Sequence, residues 1–99
     1  MDILENHIAT LNRLCEKHNV DKMYLFGSAL KENFSEKSDI DFLVRFQPIE
    51  LADYFENYMS FKEDLRMLLG REIDLVEEQT LKNPVLIKFI NQSKELVYG

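Results

Sequence analysis

The sequence predicts a small α/β (α+β) fold, a mixed β-sheet with helices packed on one face. Short apolar runs of strand character fall at residues 23–26, 40–44 and 71–76. Stretches with apolar residues at three- and four-residue steps stand before, between and after them. The 99 residues suffice for one domain, spanning 1–99, with a modest core and not for two.

The first element is an amphipathic helix over 2–18, in which Ile3, Leu4, His7, Ile8, Leu11, Leu14 and Cys15 share a face. Asp2 caps its start and His18-Asn19 its end. Neither histidine lies beside a chemical motif, so structural roles are expected. His7 reads as a partly buried helix residue, His18 as a favourable charge at a helix C-terminus and Cys15 as a small core residue.

A buried strand over 23–26 then runs into Gly27-Ser28. A glycine at a strand end allows close backbone approach to a ligand. Ser28 opens a short helical turn through Ala29, Leu30 and Lys31, whose free N–H groups favour a phosphate. The polar linker 31–38 follows, with Phe34 as its apolar anchor.

The second strand starts at Asp39, where Ile40, Phe42 and Val44 alternate with Asp39, Asp41 and Leu43. Residues i and i+2 of a strand share a face about 7 Å apart. Two carboxylates therefore project side by side, a repulsive arrangement that a divalent cation relieves.

Gln47-Pro48 ends the strand, and a helix over 51–69 stops at Gly70. Tyr54 and Tyr58 lie on this helix; aromatics at that spacing pack a core more often than they stack on a base. The strand over 71–76 sets Ile73 and Leu75 on one face and Asp74 on the other, with Glu72 as a competing acid and Glu77 and Glu78 expected in solvent. Asn83-Pro84 begins a short helix carrying Val85, Leu86, Phe89 and Ile90, and the tail 95–99 adds an edge strand.

Composition narrows the function. Apolar residues at 45% and aromatics at 11% indicate a folded globule. Eighteen acids against twelve bases give a formal charge of −6 without a dense Lys/Arg cluster, which argues against a long nucleic acid and accepts a magnesium-chelated nucleotide. No apolar run reaches the roughly 18 residues of a membrane span. The opening residues lack the pattern of a secretory signal, and Cys15 is the sole cysteine, so a cytoplasmic setting is expected.

Leu25-Phe26-Gly27-Ser28 followed by Ser38-Asp39-Ile40-Asp41 resembles the Gly-Ser … Asp-x-Asp signature of the polymerase-β-like nucleotidyltransferase superfamily. In length and element order the chain is similar to the minimal nucleotidyltransferase (MNT) branch, the antitoxin partners of HEPN toxins. The resemblance implies a small nucleotidyltransferase core that transfers AMP from ATP, with Mg²⁺ or Mn²⁺, to a hydroxyl of a HEPN toxin, namely a tyrosine, and so silences it.

It also assigns residues. Asp39, Asp41 and Asp74 would be the catalytic and metal-binding acids, the first two holding the ion that chelates the triphosphate and Asp74 sharing a second ion at the acceptor hydroxyl. Gly27, Ser28 and Lys31 would hold the phosphates, although relatives often carry an arginine just after Gly-Ser, where this chain has Ala29-Leu30-Lys31. A minimal core has no acceptor site of its own, so partner-binding surface is expected around Tyr54 and Tyr58 and near Tyr98. Two rival readings stand beside this one: an antitoxin that neutralises its partner by binding alone, and a protein in which Asp39 and Asp41 only cap turns.

Overall fold

A computed structural model describes residues 2–27 and 39–99. Ser28, the helical turn through Lys31 and the linker with its Phe34 anchor lie outside the described residues.

The single helix expected over 2–18 is two pieces, α1 (Asp2–Glu5) and α2 (Ile8–Lys17). The break falls at Asn6-His7, where asparagine competes with the backbone for hydrogen bonds and is a poor helix interior. The His7 N–H donates to the Leu4 carbonyl at 2.9 Å, and its own carbonyl accepts from Leu11 at 2.8 Å, so this half-buried histidine joins the pieces. Asn19 takes the left-handed conformation at φ 60°, which asparagine tolerates, and turns the chain into β1 (Val20–Phe26).

Next come β2 (Ile40–Phe46), α3 (Leu51–Leu69), β3 (Ile73–Glu77), a 3-10 turn at Glu78–Thr80, α4 (Pro84–Ser93) and β4 (Glu95–Tyr98). Gly70 ends α3 at φ 65° and returns its N–H to Arg66 at 2.9 Å, as a left-handed helix stop does. At the start of α4 the Asn83 side chain accepts from the N–H groups of Val85 and Leu86 at 3.0 and 3.3 Å, with Pro84 in the first turn.

The four strands lie in the order β3-β2-β1-β4. β2 runs parallel to β3, while β1 is antiparallel to both β2 and β4. The alternation of the strands divides the sheet into two faces. Met23, Leu25, Ile40, Phe42, Val44, Phe46, Ile73 and Leu75 turn to one face, where Leu4, Leu11, Cys15, Phe61 and Leu65 from α1, α2 and α3 complete a closed core. Cys15 is fully buried there, and burial pushes its thiol up to about 12, so it is an inert core residue as expected.

The other face carries Tyr24, Phe26, Asp41, Leu43, Asp74 and Val76. The α/β class is the one expected, and α4 is its one departure from a single helical layer. Leu43 and Ile90 are each 1% exposed and, with Ile87, line a small cavity between α4 and β2. The Lys94 ammonium stands 4.1 Å above the Tyr24 ring, a cation–π contact on the same face.

Candidate functional site

The Gly27 end of β1 meets the start of β2. Phe26 is the register partner of Asp41, so Gly27 passes directly beside that carboxylate. Gly27 holds φ +76°, and a Cβ built on it would fall 2.2 Å from Asp41 Oδ2. Glycine is required here twice over, by the backbone angle and by the side chain occupying the space a Cβ would need.

Asp41 is in turn the parallel register partner of Asp74. Neighbouring strands are about 4.8 Å apart, so both carboxylates leave one face as adjacent members of a row. Asp41 is half-buried and Asp74 exposed. Asp39 is exposed, two residues ahead of Asp41 and just outside β2. The N–H of the intervening Ile40 donates to the Glu72 carbonyl at 3.1 Å, which fixes where the parallel pairing begins. Thus Asp41 and Asp74 stand together beside Gly27, with Asp39 and Glu72 at the open end of the row. Ser28 and Lys31 lie outside the described residues.

Asp74 also acts on its surroundings. The Tyr58 hydroxyl donates to the Leu75 carbonyl, and its phenol is held above the ordinary range by burial first, then by the charges of Asp74 and Glu77. Tyr54 is pushed up to about 12 by burial, then by the charge and hydrogen bond of Glu77. Tyr54 meets Phe46 edge-on at 5.8 Å between centroids. Both tyrosines are half-buried and belong to the packing of α3 on the sheet, and the side chains this helix turns outward nearby are Leu51 and Phe55, which are 88% and 71% exposed. Tyr98 is half-buried and packs against the core, while on β4 it is Leu96 that stands out.

Glu77, expected in solvent, is buried. Strand alternation turns it to the helix-covered face, where its carboxylate accepts from the Gln79 N–H at 3.1 Å. His18 is likewise more than a charge at a helix end. Its ring is buried against Phe61, its Nε2 lies 2.8 Å from Asp64 Oδ2, and its carbonyl accepts from Asn57 at 2.8 Å. That hydrogen bond is the main reason the Asp64 carboxyl lies below the usual carboxylate range. A histidine in sequence carries no sign of which distant acid it will meet, so only the fold reveals the α2–α3 tie.

A cavity of about 450 Å³ opens at the opposite end of β2, bordered by Asp21, Arg45, Phe46 and Tyr54. It contains no acid row, so chemistry and not cavity size locates the candidate site. Among the described residues no three His, Cys, Asp or Glu side chains gather into a metal cluster. The donor set nonetheless fits a hard cation: adjacent carboxylates supply oxygen ligands, and magnesium ordinarily completes its shell with water and substrate phosphate.

The polymerase β nucleotidyltransferase family model matches residues 9–99. A Methanocaldococcus jannaschii protein, provisionally named a protein adenylyltransferase, is 38% identical over 97 residues, covering 98% of this chain and 91% of that relative. The protein adenylyltransferase MntA of Thermococcus cleftensis is 34% identical over 86 residues, covering 86% and 80% of the two chains. A solved structure described provisionally as a minimal nucleotidyltransferase superposes with a TM-score of 0.78 at 26% identity, over 95% of this chain and 92% of its own. A chain of the Shewanella oneidensis complex of MNT antitoxin with tri-AMPylated HEPN toxin shares the fold at a TM-score of 0.62 and 19% identity, over 93% and 69%. The chain belongs to the polymerase β nucleotidyltransferase family, in its minimal branch.

Proposed function

We propose that this nucleotidyltransferase is the antitoxin of a toxin–antitoxin pair in the cytoplasm, and that it transfers AMP from ATP to a tyrosine hydroxyl of a HEPN partner. The observation that best supports this reading is the register match of Asp41 with Asp74 beside a glycine whose missing Cβ leaves room for the Asp41 carboxylate. The names of the M. jannaschii and T. cleftensis relatives support protein as the acceptor class, and the S. oneidensis complex supports the kind of partner.

Asp39, Asp41 and Asp74 would hold a divalent cation, magnesium or manganese, which when bound neutralises triphosphate charge and favours in-line displacement. Gly27 at the end of β1, with Ser28 and Lys31 following it in the sequence, would hold the phosphates. Asp39 and Asp41 orient the triphosphate on the β2 side of the row. Asp74, one strand away, orients the acceptor hydroxyl. The acceptor oxygen forms a bond to the α-phosphorus, the bond to the leaving β-phosphate oxygen breaks, and the hydroxyl proton passes to solvent as pyrophosphate departs.

Incubation of the purified HEPN partner with ATP, Mg²⁺ and this chain tests the reading by intact mass. Each transfer should add roughly 329 Da, the AMP residue left after loss of pyrophosphate. A partner that is neutralised with its mass unchanged would replace the reaction with an antitoxin acting by binding alone.

A further inference from the structure

α4 shares the sheet face of the acid row. Leu43 follows Asp41 by two residues in β2 and lies with Ile87 and Ile90 of α4 around one small cavity. That i to i+2 step amounts to about 7 Å along the strand. Ile90 is the one residue of α4 that is fully buried, so the helix is lightly anchored. Its other large apolar side chains are turned out: Val85 is 78%, Phe89 54% and Leu86 43% exposed. Val85 and Phe89 are four residues apart and form one ridge.

The charge of this segment is opposite to that of the whole molecule. Residues 81–94 contain Lys82, Lys88 and Lys94 and no acid, in a chain with a formal charge of −6. The first half of α3 also exposes apolar residues, Leu51, Phe55 and Met59, but it lies on the helical layer away from the acid row, among Glu50, Asp53 and Glu56. Of the two apolar helix faces, only that of α4 combines closeness to the acids with positive charge.

We propose that the outward face of α4 docks the acceptor protein, and that it takes an acceptor segment whose apolar side chains are flanked by Asp or Glu. The proposal rests on the proposed function and names the surface that function requires. An acidic segment approaching Asp39, Asp41 and Asp74 unaided would be repelled; the exposed Lys82 and Lys88 offset that repulsion, and Val85 and Phe89 add apolar contact. The acceptor is then held on the same face of the sheet as Asp41 and Asp74.

The test compares wild type with Lys82→Glu/Lys88→Glu and with Phe89→Asp, using the purified HEPN partner, with Leu51→Ser/Phe55→Ser as the control surface. All changed residues are exposed, and thermal melts check that each variant is folded. KM for the partner should rise about tenfold or more in the α4 variants, as loss of a central apolar or charged contact does, with KM for ATP and kcat unchanged. The α3 control should keep the wild-type KM. Unchanged partner KM in both α4 variants overturns the proposal. So does loss of wild-type self-association in those variants with partner kinetics intact, since α4 would then contact a second copy. If wild type neither binds nor modifies the partner, the proposed function fails and this surface falls with it, and the wild-type arm alone reports that failure.

Discussion

The two faces of the sheet are finished in opposite ways. Against α1, α2 and α3, Phe42, Val44 and Leu25 meet Phe61, Leu65 and Leu11 with essentially no exposure. On the other face, β2 and β3 present Asp41 and Asp74 side by side, and α4 covers only the part beyond them, at Leu43. Since every residue of a strand is followed by one on the opposite face, each strand serves both purposes at once. Phe42, between Asp41 and Leu43, holds the strand down while its neighbours turn to the face of the proposed site. On the proposed function, stability belongs to one face and activity to the other, and substitutions should separate them cleanly.

The largest effect on stability is expected from Phe61→Ala, which opens a cavity in the closed face and should cost about 3–5 kcal/mol by chemical denaturation. Retention of full stability would mean that this face is not the core. On the open face, Asp41→Ala should reduce AMP transfer by more than the ~100- to 1,000-fold that one lost preorganised donor costs, with the melting temperature nearly unchanged. Asp74→Ala should still bind magnesium and ATP and fail in transfer, a split readable by calorimetry beside the mass assay.

Gly27→Ala joins the two faces in one experiment. Its Cβ would collide with Asp41 Oδ2, and φ +76° is strained for alanine. Stability should drop by more than the ~1 kcal/mol typical of a tolerated glycine substitution, and activity should fall with it. An active, fully stable Gly27→Ala protein would show that the Asp41 carboxylate need not sit where it does.

Much of this division was legible in the sequence. Ile40, Phe42 and Val44 alternating with Asp39, Asp41 and Leu43 announced a two-faced strand, and Gly27 and Gly70 marked turns that both adopt positive φ. Asp74 was placed because its alternation with Ile73 and Leu75 forecast its face, though only the parallel register makes it a neighbour of Asp41. Local pattern could not give contacts set by tertiary geometry. The burial of Glu77 depends on the Gln79 N–H and on Tyr54, 23 residues away in α3; the His18–Asp64 tie crosses 46 residues. Likewise, nothing in the short apolar pattern of 84–93 says which face of the sheet will receive it.

The closed face offers a smaller, pH-dependent test. Asp64 lies below the ordinary carboxylate range mainly through the His18 hydrogen bond, so the folded state binds its proton less readily than the unfolded chain. Its contribution is complete above the usual carboxylate pKa and drains away as pH falls through the lowered one. Asp64→Ala should cost about 1–2 kcal/mol near neutrality, and the gap to wild type should narrow as the solution is acidified through that window. A gap that is constant with pH would remove the carboxylate from the account. The smallest effect is expected at Leu51, 88% exposed, where a serine should shift stability by no more than about 0.5 kcal/mol.

The role of the open face is tested most directly by the thermal shift that Mg²⁺ and ATP together produce in wild type and in Asp41→Asn. A ligand that binds only the folded state raises the melting temperature with concentration. Wild type should show that rise and Asp41→Asn, which keeps the shape of the side chain and loses its charge, should not. An equal rise in both would mean that nucleotide and metal bind elsewhere, and that the row of Asp39, Asp41 and Asp74 is not the site.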